Sequence, residues 1–224
     1  MFKLNRIRRI VLFIIAIVGA CSIYAWSMSQ KVEKAPQSKQ PLAHAQASPQ
    51  NKGFQKFIVY QDKPSANHYV ISGFMPNGKC AEMNDVWVDN CQEGRSCIKG
   101  VFNRDCATLG MGWAGVYWLQ PANNWGDQKG FDLTGAKRLV FWAKGEKGGE
   151  VLIFKMGGVG LGRQFPDTDA VATEPVTLFK DWKEYSIDLK DKKLSNIAGG
   201  FAWVGSAKDN PQNITFYLDN IHYE

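Results

Sequence analysis

From residue 54 to the C-terminus the chain is a succession of short runs rich in β-branched and aromatic residues, with almost no helical pattern between them. The runs fall at 57–60 (FIVY), 85–88 (DVWV), 96–102 (SCIKGVF), 114–120 (AGVYWLQ), 138–144 (RLVFWAK), 150–156 (EVLIFKM), 175–179 (PVTLF), 183–189 (KEYSIDL), 200–205 (GFAWVG) and 214–223 (ITFYLDNIHY). Gly, Asn, Asp or Pro punctuate them, and a series of this kind specifies a β-sandwich or barrel. The clearest unit is RLVFWAKGEKGGEVLIFKM, where the glycines of GEKGG supply the positive φ angles of a tight hairpin connection. Its second run is apolar on both faces and is expected to be a central strand. In the last run, alternation puts Thr215, Tyr217, Asp219 and Ile221 on one face, and Ile214, Phe216, Leu218 and Asn220 on the other. A carboxylate at position 219, among core-directed neighbours, invites a partner.

The positive charge of the chain belongs to its N-terminus. Residues 1–53 hold eight Lys/Arg against one Glu, a net +7, leaving 19 basic and 20 acidic residues, a net −1, in the remainder. Nucleic-acid affinity rests on clustered cations that release counterions, so no nucleic-acid partner is expected of a nearly neutral domain. The basic stretch MFKLNRIRR precedes nineteen uncharged residues from Ile10 to Met28, enough to span a bilayer with the N-terminus held on the cytoplasmic side. Two readings of residues 1–28 stand side by side. One is an uncleaved signal anchor; the other is a lipoprotein signal, in which Val18-Gly19-Ala20-Cys21 marks Cys21 for lipidation. Either makes the membrane a partner and tethers the domain on the periplasmic side or at the cell exterior. Residues 29–53, rich in Gln, Ser, Pro, Ala and Lys, are expected to form a flexible linker, and a folded domain is expected over 54–224.

Cys80, Cys91, Cys97 and Cys106 lie within 27 residues of one another. An even number of closely grouped cysteines in an exported domain points to disulfides, with three pairings open. The nested pairing, Cys91 with Cys97 and Cys80 with Cys106, would staple one long irregular loop. Zinc is the weaker alternative, since intervals of 10, 5 and 8 residues contain no CxxC and no His pair stands nearby.

Three segments, GFDLTGAKRLVFWAKGEKGGEVLIFKMGG, PVTLFKDWKEYSIDLKDKKLSNIAGGFAWV and NPQNITFYLDNIHYE, resemble the galactose-binding-like β-jelly-roll domains found as carbohydrate-binding modules. The resemblance covers residues 112–224, about half the chain; the cysteine-containing stretch has no counterpart in it. It implies an all-β sandwich of jelly-roll type, preceded by the N-terminal membrane helix or signal and a disordered linker. It also implies non-catalytic glycan binding, and one structural calcium held by Asp219 in YLDNI, with Asp62 and Glu93 as the residues that would complete the site, since calcium takes several oxygen ligands.

Sugars present flat C–H faces rimmed by hydroxyls, so their sites combine aromatic platforms with short polar side chains. The stretch YWLQPANNWGD offers both: Trp118 and Gln120 on one strand face, then Asn124, Trp125 and Asp127 on a loop. Trp125, flanked by strand-breaking residues, is the expected stacking platform, and Trp118 the support beneath it. The loop 157–170 adds Arg163 and Asp167, able to fork hydrogen bonds to adjacent hydroxyls, and Trp203 either lines the same face or fills the core. Catalysis finds little support. No G-x-S-x-G elbow occurs, and the acids Glu146 and Glu150 lie in what reads as an exposed turn rather than a cleft able to raise a carboxyl pKa. The alternatives are a structural or protein-interaction domain at the cell surface, and a small glycan-active hydrolase.

Overall fold

The structure is a computed structural model that describes residues 53–224 apart from Asn77. The expected signal segment with Cys21, and all of the expected linker except Gly53, lie outside the described residues. Among the described residues no helix is long and apolar enough to cross a membrane.

Among the described residues, twelve strands and one short helix follow in chain order: β1 (Phe57–Tyr60), β2 (Val70–Met75), β3 (Ala81–Trp87), β4 (Cys97–Phe102), α1 (Arg104–Thr108), β5 (Trp113–Leu119), β6 (Arg138–Gly145), β7 (Val151–Gly157), β8 (Ala170–Ala172), β9 (Val176–Thr177), β10 (Lys183–Asp188), β11 (Gly199–Ser206) and β12 (Ile214–Tyr223). They form two antiparallel sheets. The first runs β10-β6-β12-β4-β3, with β1 continuing beside the far end of β12; the second runs β2-β5-β11-β7-β8, with β9 also on β7. The sheets face each other across a core filled largely by rings: Phe141 meets Phe154 at 4.5 Å, Trp203 meets Phe216 at 4.9 Å, and Trp118 meets Phe201 edge-on at 5.1 Å. Gly100 is what lets Phe216 enter from its cross-strand position, because a Cβ there would stand 2.3 Å from the ring. The result is the expected jelly-roll β-sandwich.

Two local expectations do not survive. GEKGG is not a hairpin turn: β6 belongs to the first sheet and β7 to the second, so the segment carries the chain from one layer to the other. Gly148 and Gly149 have the positive φ angles that the turn chemistry requires, 81° and 99°. Those angles fix the local bend, however, and leave open which sheet receives the next strand. Glu150 is accordingly buried, its Oε1 accepting the Lys147 N–H at 2.8 Å. The alternation along β12 also breaks. Asn220 adopts φ 44°, the register slips between Asp219 and His222, and Ile221 turns into the core with Phe216 and Leu218 while His222 continues the face of Tyr217 and Asp219.

The strand pattern missed β2, β8 and α1. The last is started by Asn103, whose side chain accepts the Cys106 N–H at 2.9 Å. The disulfides are nested as expected, Cys80 to Cys106 and Cys91 to Cys97. The first ties the start of β3 to α1. The second closes the loop between β3 and β4.

Candidate functional site

The residues singled out along YWLQPANNWGD and the following glycine-rich loop separate into two groups. Trp118 and Trp203 are core residues, 1% and 0% exposed, and neither touches a ligand-accessible surface. The reason is the pleat: β5 sends Ala114, Val116 and Trp118 inward and Tyr117 and Leu119 outward, and Trp203 pairs with Val116 on the inward side of β11. Asn124 is buried with its hydrogen-bonding capacity spent on the loop. Its Oδ1 accepts from the N–H groups of Gly126, Asp127 and Gln128, and its Nδ2 donates to the carbonyls of Gln120 and Gln128. Asp167 is likewise a clamp, accepting from the N–H groups of Val159, Ala198 and Gly199, with burial pushing its carboxyl pKa up. Three of the other four, Trp125, Asp127 and Arg163, come together at one surface. The loops carrying Trp125 and Arg163 pack together, Phe165 N–H donating to Gly126 O at 2.9 Å, and Arg163 Nη1 stands 3.6 Å from Asp127 Oδ1. Trp125 lies edge-on to Tyr117 over the outer side of the second sheet, and Gln120 closes β5 by donating its N–H to Ala198 O.

The three expected calcium ligands are each engaged by hydrogen-bond donors. Asp219 is fully buried and faces donors: its Oδ2 accepts from Gln92 N–H at 3.0 Å and Glu93 N–H at 3.1 Å, and its Oδ1 from Asn220 N–H at 2.8 Å. Asp62 accepts from the N–H groups of Lys63, Arg95 and Ser96 and from the Ser96 hydroxyl, and the last of these is the main reason its pKa lies below the usual carboxylate range. Glu93 Oε2 accepts from Asn220 Nδ2 at 2.8 Å. Among the described residues no group of three or more His, Cys, Asp or Glu gathers as a metal requires.

The outer face of the first sheet is chemically richer. Across it, Asn84, Lys99, Tyr217 and Lys144 form one cross-strand row over β3, β4, β12 and β6; Asp219, Trp142 and Glu184 form the next over β12, β6 and β10. Trp142 is thus a half-buried residue of this outer face. Two further indoles reach in from the sides. Trp87, at the end of β3, lies 6.2 Å from Tyr217 with Lys99 Nζ 4.2 Å from its ring centroid. Trp182 precedes β10, and Lys144 Nζ sits between it and Tyr217, 5.5 Å and 4.8 Å from the two centroids. Among the described residues Lys144 has only these ring faces as partners, although it is 8% exposed. Tyr217 donates to Glu146 Oε2 at 2.5 Å, and burial followed by that carboxylate pushes its phenol pKa up, so the hydroxyl stays protonated.

Beside the rings lies a polar recess of about 260 Å³ lined by Asp89, Asn90, Lys144, Glu146, Lys180, Asp181 and Tyr217. Carboxylates, an amide and ammonium groups there present acceptors and donors in close alternation, as a polyhydroxylated ligand requires. Both indoles are held by one turn: Trp87 Nε1 donates to Asp89 O and Trp182 Nε1 to Asn90 O, each at 2.9 Å. A second recess of about 220 Å³, at the crossover between β6 and β7, is lined by loop residues such as Asn210 and Gln212 and carries no ring.

No protein-family model and no curated protein matches the chain. Solved structures do. A family 11 carbohydrate-binding module of a cellulosomal cellulase of Clostridium thermocellum is similar with a TM-score of 0.50 and 11% identity, over 76% of this chain and 95% of that one. The fold is that of a carbohydrate-binding module. A family 11 module from Clostridium thermocellum in complex with a β-1,3-1,4-mixed-linked tetrasaccharide gives 0.49 and 12% over 75% and 94%, and a family 30 module gives 0.48 and 16% over 75% and 87%. At such identities the likeness ends at the fold.

Proposed function

We propose that this protein binds glycan chains without cleaving them, through the outer face of its first sheet, from a membrane-tethered position outside the cytoplasm. The observation that carries the reading is that Trp87 and Trp182 hang by their indole nitrogens from Asp89 and Asn90, two residues that line the recess together with Lys144 and Tyr217. Two half-exposed indoles give stacking platforms for sugar rings, and the acids, amide and lysines beside them give hydroxyl partners. The tether rests on the uncharged run from Ile10 to Met28 with basic residues before it. Absence of catalysis is supported by the state of the two acids of the GEKGGE segment: Glu146 is exposed and engaged by the Tyr217 hydroxyl, and Glu150 lies under the crossover, away from the recess.

Affinity electrophoresis in gels containing soluble β-1,3-1,4-mixed-linkage glucan, glucomannan or xylan tests the site. Retardation of the wild type by at least one of these, lost in Trp87→Ala and in Trp182→Ala but kept in Trp125→Ala, is the expected result. Loss on Trp125→Ala alone would move the site to the loops of the second sheet. No retardation in any gel would end the reading, and release of shorter oligosaccharides from a bound glycan would replace it with that of a hydrolase.

A further inference from the structure

Trp87 and Trp182 are 95 residues apart in sequence, yet their indoles hang from successive carbonyls of a single turn. That turn is fixed from below. Cys91, the residue after Asn90, is bonded to Cys97, and the next two residues, Gln92 and Glu93, donate their N–H groups to one oxygen of Asp219. A second tie runs beside it, from Asn220 Nδ2 to Glu93 Oε2. Asp219 itself is held on the central strand β12 at the slip in register, with its other oxygen on Asn220 N–H. The path from the sheet to both rings is therefore Asp219, the N–H groups of 92 and 93, the Asn90–Cys91 turn and the two carbonyls.

We infer that Asp219 is a positioning residue for the aromatic pair: it sets where the turn sits over the sheet, and so the spacing of Trp87 and Trp182, while touching no ligand. This deepens the glycan-binding reading and rests on it for its functional consequence. A buried carboxylate fits the role because a charge-assisted acceptor holding two consecutive N–H groups locks a loop more firmly than a neutral one. A loop already closed by a disulfide has little other freedom to lose. The lone pairs of Asp219 are directed at backbone donors, two of them in a loop that the resemblance to known modules does not cover.

Asp219→Asn keeps the shape of the side chain, but its amide nitrogen cannot accept. With 5-fluorotryptophan incorporated, ¹⁹F NMR reports each indole separately, and single Trp→Phe variants assign the signals. The expected result is that the Trp87 and Trp182 signals shift or broaden in Asp219→Asn while those of the core residues Trp118 and Trp203 stay in place. Affinity for soluble β-1,3-1,4-mixed-linkage glucan, glucomannan or xylan, whichever retards the wild type, should fall about tenfold or more. Core signals moving together with the outer pair would mean a general loosening and overturn the positioning role, as would an unmoved outer pair or unchanged affinity. Should Asp219→Asn not fold, Glu93→Ala, an exposed site, removes the second tie and should displace the same two signals to a smaller degree. Unmoved signals there would overturn the inference. If no glycan binds the wild type, the ¹⁹F result still decides the positioning role, and only the glycan reading falls.

Discussion

Asparagine at position 219 should also change how the stability of the protein depends on pH, by an amount that follows from the burial of the carboxyl. The Asp219 pKa is raised from 3.8 to about 6, with burial as the largest cause and the nearby Glu93 charge adding to it; the N–H groups of Glu93, Asn220 and Gln92 pull the other way without prevailing. A carboxyl with a folded pKa above its unfolded value binds its proton more tightly in the folded state. Its contribution to stability is therefore complete below about pH 3.8, declines as pH rises, and is gone above about pH 6. At about 1.4 kcal/mol per pH unit, an interval of about two units corresponds to roughly 3 kcal/mol. The wild type loses that amount between pH 4 and pH 7; Asp219→Asn, having nothing to titrate there, does not.

Carboxylates with lowered pKa values, Asp62, Asp132, Asp169 and Glu224, act in the opposite sense. They are present in both proteins and cancel in the difference. Urea titrations at pH 4, 5, 6 and 7, followed by far-ultraviolet circular dichroism, give the stability gap between the two proteins at each pH. The gap should move by roughly 3 kcal/mol in favour of the variant across the series. A gap that is the same at pH 4 and pH 7 would refute the reasoning, because it would mean that the carboxyl ionises as readily in the fold as in the unfolded chain.

Two further outcomes follow from the same structure. Trp203→Ala removes a fully buried indole packed on Phe216, with its Nε1 against Met83 Sδ, and should cost about 3–5 kcal/mol in urea or thermal unfolding; a loss under 1 kcal/mol would contradict its place in the core. A chelator should leave the melting temperature unchanged, because the oxygens of Asp219 and Asp62 are occupied by N–H and O–H donors; a fall in melting temperature restored by added calcium would show that these donors give way to an ion.

Ten runs of β-branched and aromatic residues announced the sandwich because each is bounded by turn residues, and most of their limits agree with the strands within one or two positions. β2 escaped because Ser72 and Gly73 interrupt its apolar pattern at a slip in its pairing with β5. The crossover at GEKGG could not be told from a hairpin. Positive φ at Gly148 and Gly149 serves either, and the choice is made by where β11 and β12 take their places in the two sheets. Of the expected ligand residues, Trp125, Asp127 and Arg163 were brought together by loops that pack on each other, which their Gly and Pro content foreshadows. Trp118 is buried as the support it was expected to be, whereas Trp203 as a ligand-face candidate was misplaced, because an aromatic residue in a strand reads the same whether the pleat sends it inward or outward. The outer-face pair was within reach of the sequence only as single residues. DVWV and KDWKEY each show an indole beside a strand, but that both belong to one site depends on β3 and β10 lying at opposite edges of the same sheet.

That placement bears on how such a site can bind. Indoles on free loops would have to be ordered on contact, at a cost of about 0.5–1.5 kcal/mol for each side chain immobilised. Here each ring is already restrained at its nitrogen by a carbonyl of one turn, and the turn is restrained by the Cys91–Cys97 bond and by Asp219. Lys144 and Lys99 complete the restraint by lying against the ring faces, where a cation is attracted by the π system and shields the ring on that side. The stretch between β3 and β4 therefore does two things with one set of contacts. It fills the place over Asp219 with backbone donors, and it sets two platforms at a fixed separation beside a polar recess. A ligand that matches that separation meets a surface whose ordering cost has been met in folding; one that does not match has no adaptable loop to accommodate it. At the proposed site, selectivity would thus follow from the rigidity of a short disulfide-closed turn more than from the number of polar groups that line the recess.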